Sequence, residues 1–277
     1  MTHLHATPDF DLIIRQLTTK FLSDDARPVS TRWWQGTDVS TRPEMTPVEL
    51  EDVTIETTIP NDPNEWARKI NPNWDWAEAH FRERVSMVPH NPPPSHEIWP
   101  HAQSDNQEFT VKGRFSHTYP ERFWPKYAGD GYPFSSPQQP RQGIRFRYGD
   151  LMDVVRLMHN DPHTRQAYLP VFFPEDTGAH HGQRIPCTLG YLFRYRRGRM
   201  NIVYYIRSCD FRRHFRDDVY MAGRLGQWMM LMLRDSDLEL EALDMGKLIM
   251  HIGSLHVFEG DLPFMRQERN NVLGSQF

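Results

Sequence analysis

The chain of 277 residues has only two cysteines, no long apolar run and no strong excess of either charge. Cys187 and Cys209 allow one disulfide at most and cannot build a four-cysteine zinc site. The longest uninterrupted apolar run, Trp228 to Leu233, is six residues, far short of the roughly 20 that span a bilayer. Lys and Arg number 32 against 36 Asp and Glu, a formal net charge of -4. That balance argues against a protein that holds long nucleic acid by its phosphates. Met1 leads into His3, His5 and Asp9 rather than a basic and then apolar stretch, so no secretory signal is visible. The expectation is a soluble cytoplasmic protein, with no membrane partner, acting on something small.

What is present is globular composition, with 38% hydrophobic and 25% charged residues. Residues 8–24 read as a helix because Phe10, Ile13, Ile14, Leu17 and Phe21 recur on one face. Alternation of Val53, Ile55, Thr57 and Ile59 predicts a strand. Fifteen of the 22 prolines lie between 43 and 140, which makes that stretch loop-rich, Asn91-Pro92-Pro93-Pro94 and Tyr132 to Pro140 most of all. A helical island from about Trp74 to Ser86 carries Ala77, Phe81 and Val85 on one side.

The second half is more regular. Asp150 can cap a helix holding Leu151, Val154, Val155 and Met158, stopped by Asn160-Asp161-Pro162. Gln166 to Phe173 reads as a strand. Thr188 to Tyr195, a turn at Arg197-Gly198 and Met200 to Ile206 read as a hairpin. Apolar residues on both faces of its second arm predict a sheet covered on both sides. A helix from Asp218 to Leu233, a short strand near Leu248 to Ile252 and a last helix or loop complete a mixed α/β (α+β) domain without internal repeats.

Cys187 stands where a loop enters a strand, in Ile185-Pro186-Cys187-Thr188. An isolated cysteine is ordinarily a small core residue; the alternative is a thiolate nucleophile, which needs a nearby cation. The hairpin folds Arg207-Ser208-Cys209-Asp210 back beside it, and an arginine with a hydroxyl can also hold an anion. Cys209, inside the strand, reads as structural. Asp217 and Asp218 either cap the next helix or read the edge of a base, as acidic side chains do with the cytosine amino group. His251 and His256 lack the spacing and the third ligand of a zinc triad, and His180-His181 reads as a polar loop doublet, so no metal is expected. Glu78 and Glu83, five positions apart on one helix, point in different directions.

Pro186-Cys187, the hairpin, Arg207-Ser208-Cys209-Asp210, a helix and then Gly253-Ser254-Leu255-His256-Val257-Phe258 follow in an order that resembles the thymidylate synthase superfamily. The resemblance covers roughly residues 144–262, with 87–140 as a loop-rich insertion in a single domain over 1–277. It implies a mixed sheet covered by helices and a homodimer. Asn160-Asp161-Pro162-His163-Thr164-Arg165 resembles the segment that lends arginine to the partner subunit's phosphate site. Eight residues beyond Asp210 stands Asp218, where thymidylate synthases carry the asparagine that reads uracil. Phage deoxycytidylate hydroxymethylases carry aspartate there, and Phe215-Arg216-Asp217-Asp218 and Gly-Ser-Leu-His-Val are similar to theirs.

This resemblance implies C5 hydroxymethylation of a cytidine monophosphate with 5,10-methylenetetrahydrofolate as co-substrate. Cys187 would attack C6, and Glu78, with Glu83 as the alternative, would organise water and proton transfer. Phe81 matches the aromatic that follows the family's glutamate. Arg207, Ser208, Arg32 and, across the dimer, Arg165 would hold phosphate. Asp210, His256 and Phe258 would line the substrate site, and Tyr127 resembles the family's active-site tyrosine. Phe258 stands where the family usually has tyrosine, which removes a hydroxyl contact to the sugar and leaves dCMP and CMP both open, the latter as in nucleoside-antibiotic pathways. Gln166 replaces a second arginine. Methylation of the same nucleotide or of dUMP with dihydrofolate release is the alternative reaction. A non-catalytic nucleotide- or RNA-binding relative is the alternative class, motivated by the basic runs 194–199 and 212–216.

Overall fold

The computed structural model of the protein describes residues 3–34, 37–99, 110–111, 113–128, 149–177, 185–234 and 243–274. The chain begins with β1 (His3–Ala6), α1 (Phe10–Phe21), β2 (Arg27–Pro28), β3 (Trp33–Trp34), β4 (Thr37–Asp38) and β5 (Pro47–Thr58). Next come α2 (Pro63–Ile70), α3 (Trp74–Val85), β6 (Thr110–Val111), β7 (Arg114–Phe115), α4 (Tyr119–Phe123) and α5 (Leu151–Asn160). The remainder is β8 (Tyr168–Pro170), α6 (Pro174–Thr177), β9 (Thr188–Arg196), β10 (Arg199–Asp210), α7 (Phe215–Arg234), β11 (Asp244–Phe258) and α8 (Leu262–Gly274).

Local chemistry sets these boundaries. Asp9 accepts from the Leu12 amide at the start of α1, and Asp150 with Asp153 forms the capping box that opens α5. Asp62 caps α2, Pro63 fills its first turn, and Asn71 closes it in the left-handed region at φ 51°. The predicted hairpin turn is real: Arg197 and Gly198 take φ of 53° and 70°, as a two-residue turn between twisted strands requires. Its arms pair Arg199 with Arg196 and Tyr204 with Tyr191.

The main sheet runs β1-β5-β11-β10-β9-β8, with β2 on β5. The β10–β11 and β1–β5 pairs are parallel and the others antiparallel, a mixed sheet as expected. One face is buried, with Tyr191, Phe193, Met200, Ile202, Tyr204, Met250 and Ile252 under the helices. The opposite face corrects the expectation of cover on both sides. There Thr54, His251 and Tyr205 pair across three strands and are only partly buried, and Tyr168 beside Tyr205 is exposed. On this face of β10 Val203 is buried and Tyr205 only partly so.

Two more boundaries differ. β11 is 15 residues rather than five, because it pairs with β10 as far as His256 and with β5 as far as Phe258. The strand expected over 166–173 shrinks to Tyr168–Pro170, where proline ends the ladder. His180-His181, Tyr132 to Pro140 and most of the proline-rich stretch lie outside the described residues.

α7 is the central buried helix, and Gly223 on it lets Trp66 of α2 lie against the backbone. A Cβ there would sit 2.3 Å from the indole. Trp66 is fully buried and donates its Nε1–H to the Tyr220 carbonyl at 2.9 Å. Gly223→Ala therefore forces the indole off its site, and urea denaturation should show a loss of about 1–3 kcal/mol; unchanged stability would mean the helices separate freely.

Candidate active site

The β9–β10 register brings the two cysteine-bearing segments together. The Arg207 amide donates to the Cys187 carbonyl at 2.9 Å. The Arg207 guanidinium donates to the Pro186 carbonyl at 3.0 Å and the Ile185 carbonyl at 3.2 Å, and its Nη2 lies 3.9 Å from Cys187 Sγ. Backbone carbonyls thus hold the cation against the sulfur, the environment that favours a thiolate. Cys187 is partly exposed, whereas Cys209 is buried, and burial pushes the Cys209 thiol well up. Both cysteines are free.

Ser208 Oγ lies 3.4 Å from His256 Nδ1, and Asp210 pairs with His256 across the parallel ladder. Burial lowers the His256 pKa, leaving a neutral ring. Phe258 is buried and meets His256 edge-on. Asp210 accepts from the Arg212 and Arg213 amides and from the Arg213 guanidinium, which also binds Asp261. Asp210 thus closes β10 and holds the turn that leads into α7.

Those two acids lie in the first turn of α7 and face inward. Asp217 accepts from the Asn73 amide at 2.8 Å. Burial raises it to about 7, against that hydrogen bond, while the neighbouring Asp218 charge adds to the rise. Asp218 Oδ2 lies 3.5 Å from Cys209 Sγ. Burial pushes Asp218 up to about 6; Arg84 and the Cys209 contact oppose the rise, and Asp210 adds to it.

Tyr119 links the sulfur to α3. Burial raises its hydroxyl pKa, and charges on Cys187 and Asp218 raise it further. It accepts from Thr188 Oγ1 at 3.3 Å, and Thr188 in turn meets the Tyr204 hydroxyl at 2.8 Å. The Arg84 guanidinium lies over its ring at 4.1 Å, and His80 meets it edge-on at 6.2 Å. Sequence reasoning passed over Tyr119, Arg84 and His80. One signal was present: Thr118-x-x-Glu121 is a helix-start signature, and Thr118 does accept from the Glu121 amide.

The two glutamates of α3 belong to separate networks. Glu78 accepts from Arg82, Arg224 and the Tyr220 hydroxyl. Burial acts against it, but those donors hold its carboxyl below the usual range. Glu83 accepts from the Ser95 amide and hydroxyl and meets His80 Nδ1 at 3.2 Å. The contacts that run from Cys187 through Thr188 and Tyr119 lead to His80 and Glu83. Trp76 stacks on His80, and Trp99 stacks on His214 with planes 13° apart, forming an aromatic wall beside this route.

The other sequence candidates lie apart. Arg165 is exposed on the turn after α5. Arg32 is exposed and pairs with Asp38 at 3.0 Å. Tyr127 packs near Trp124 at 6.3 Å. His251 and His256, an odd number apart on one strand, face opposite sides. Among the described residues no three His, Cys, Asp or Glu cluster to hold a metal, and no helix is long and apolar enough to cross a membrane.

No protein-family model and no curated protein sequence matches the chain. Among solved structures, it is similar to thermostable thymidylate synthase A from Bacillus subtilis, with a TM-score of 0.61 and 13% identity, over 93% of this chain and 82% of that one. The fold is thymidylate synthase-like, one mixed α/β domain.

Asp217 offers a test of the electrostatics. Its folded pKa of about 7 exceeds the 3.8 of a free aspartate, so the folded state binds the extra proton and stability falls as pH rises through that window. Asp217→Asn keeps an acceptor for the Asn73 amide without the charge. Thermal melts should show Asp217→Asn more stable than the parent at pH 8, by at most about 1.4 kcal/mol per pH unit of the window, and little different at pH 4. Equal melts at both pH values would contradict this account.

Proposed function

We propose that the protein hydroxymethylates C5 of a cytidine monophosphate, dCMP or CMP, with 5,10-methylenetetrahydrofolate as co-substrate. The observation that carries this reading is Cys187 held beside Arg207, with the inward-facing acid Asp218 acting on the same Tyr119 hydroxyl. The fold likeness supports a nucleotide one-carbon transferase; the choice of cytosine rests on Asp218.

Cys187 Sγ attacks C6, and the electron pair of the C5=C6 bond becomes available at C5. The co-substrate supplies a one-carbon unit at the formaldehyde oxidation level. The flat faces of Trp99 and His214 fit a bicyclic heteroaromatic ring such as its pterin. Arg207 and Ser208 bind phosphate, joined by Arg165 of the partner subunit; Arg32 is a further phosphate ligand. His256 and Phe258 line the sugar, Asp210 holds the strand end that carries Ser208, and Tyr127 supports the pocket from behind Trp124. The half-open sheet face with Tyr168, Tyr205 and His251 is the surface on which two copies pack. Water is ordered by a carboxylate of α3: Glu78 on the family resemblance, Glu83 on the contact route through His80. Turnover of Glu78→Gln and Glu83→Gln tells them apart.

A neutral acid matches cytosine at both positions, since its hydroxyl donates to N3 and its carbonyl oxygen accepts from the 4-amino group. An amide at the same place suits uracil. Incubation with methylenetetrahydrofolate and equal dCMP, CMP and dUMP, followed by product mass spectrometry, should give hydroxymethylated cytidylate. Cys187→Ala should abolish turnover while keeping nucleotide binding, and Asp218→Asn should shift preference toward uridylate. A methyl product would overturn the water-capture step. Absence of any modified nucleotide, with salt-sensitive RNA binding, would favour the binding-protein alternative.

The Asp218 proton adds a pH signature. Below about 6 the free acid already carries the proton that the N3 contact needs; above it, binding must take one up. Calorimetry should show the cytidylate Kd rising by up to about tenfold per pH unit above that point, and Asp218→Asn should flatten the profile. A flat profile in the parent would rule out the shared proton.

A further inference from the structure

Cys209 takes no part in the chemistry assigned to Cys187, yet its sulfur touches the acid on which the choice of base rests. The thiol is 2% exposed, on β10 next to Ser208 and two residues beyond Arg207. Burial, with the charges of Asp218 and Asp210, keeps it protonated, so it is an S–H donor. Two acceptors stand within its reach among the described residues, Asp218 Oδ2 at 3.5 Å and the Asp210 carbonyl at 3.9 Å. The nearer is a carboxyl oxygen, and the single thiol proton goes there. Asp218 itself is only partly covered, so a ligand can reach it.

That contact matters because a neutral acid alone does not tell cytosine from uracil. With its proton on the oxygen that faces N3, it matches cytosine. With the proton on the other oxygen, it donates to O4 of uracil and accepts from the N3–H. A free carboxyl exchanges these two forms at no cost. A donor fixed on one oxygen breaks the symmetry, because a carbonyl oxygen accepts better than a hydroxyl and the acid proton then belongs on the other oxygen.

We propose that Cys209 is a specificity-determining positioning residue: its thiol holds Asp218 Oδ2 as an acceptor, which puts the acid proton on Oδ1 and fixes cytosine with its 4-amino group at Oδ2 and N3 at Oδ1. The proposal rests on the cytidylate reading. Uracil in the same orientation needs the proton on Oδ2, where the thiol meets a hydroxyl and its hydrogen bond weakens. Cys209 acts on the base through Asp218 and does not touch the ring. The other groups around Asp218 are Arg84 of α3, Tyr119 of α4, Tyr191 of β9, Tyr204 and Asp210 of β10 and the adjacent Asp217. Among the described residues Cys209 is the side chain hydrogen-bonded to its carboxyl.

The first measurement is the infrared S–H stretch of Cys209, recorded in Cys187→Ala so that one thiol remains. A carboxylate accepts more strongly than a neutral acid, so the band should move to lower frequency as pH rises through about 6, where Asp218 loses its proton. The movement should persist in Asp217→Asn and vanish in Asp218→Asn. The second measurement is the ratio of Kd for uridylate to Kd for cytidylate, by calorimetry below that pH. The ratio should fall by about 3- to 10-fold in Cys209→Ala and recover in part in Cys209→Ser, which keeps a donor. A band indifferent to pH, or a ratio in Cys209→Ala within about twofold of the parent, overturns the proposal. A parent that prefers uridylate, or that binds neither nucleotide, overturns the cytidylate reading and the orientation with it, while the band still reports whether thiol and acid are bonded. Where Cys209→Ala does not fold, Cys209→Val fills the space without a donor and carries the same readings.

Discussion

The hydrogen bond from the Arg207 amide to the Cys187 carbonyl is the constraint on which the site depends. It extends the β9–β10 pairing beyond a register shift between Tyr205 and Ile206, so the tight turn at Arg197-Gly198 and that irregularity set it together. Side chains alternate between the two faces of a strand, and a one-residue slip would carry Arg207 to the other face and away from the sulfur. The parallel ladder with β11 then places His256 against Ser208 and Asp210. Hairpin and ladder together gather sulfur, guanidinium, hydroxyl and imidazole at one end of the sheet.

α7 and α3 add the second half of the site, and they do so with buried charge. α3 divides its polar residues between two directions. Glu78 is fully engaged by Arg82, Arg224 and Tyr220, a network that ties α3 to α7 and offsets the cost of burying a carboxylate. Glu83, His80 and Arg84 turn toward Ser95 and Tyr119. Asp217 and Asp218 both carry raised pKa values at the start of α7. Such perturbed groups concentrate where a protein does chemistry, and Asp218 lies against Cys209 Sγ at 3.5 Å, on the strand that also carries Arg207 and Ser208.

Much of this organisation is legible in the chain. α1, α3, α5, α7 and the hairpin follow from apolar periodicity, caps and a turn dipeptide, because each is a local preference confirmed by packing. α2 was missed although Asp62, Pro63 and Asn71 mark both of its ends; its eight residues are too few for periodicity to be read alone. The length of β11 was missed because the apolar alternation loses its phase after Ile252, whereas pairing with β5 and β10 on both sides carries the strand on. Tyr119 could not be ranked above Tyr127, since both sit near short helical turns and only the fold brings one of them to Thr188.

By itself the sequence determined α1, α3, α5, α7 and the hairpin, the order of the Cys187, Arg207 and His256 segments and the presence of an acid eight residues beyond Asp210, because these depend on near neighbours along the chain. Only the tertiary structure decided which acids are buried, which glutamate of α3 faces the cysteine route and which sheet face is left half-open. Those properties arise from groups far apart in sequence sharing one low-dielectric space, and desolvation is set by the whole surrounding shell rather than by any stretch of residues.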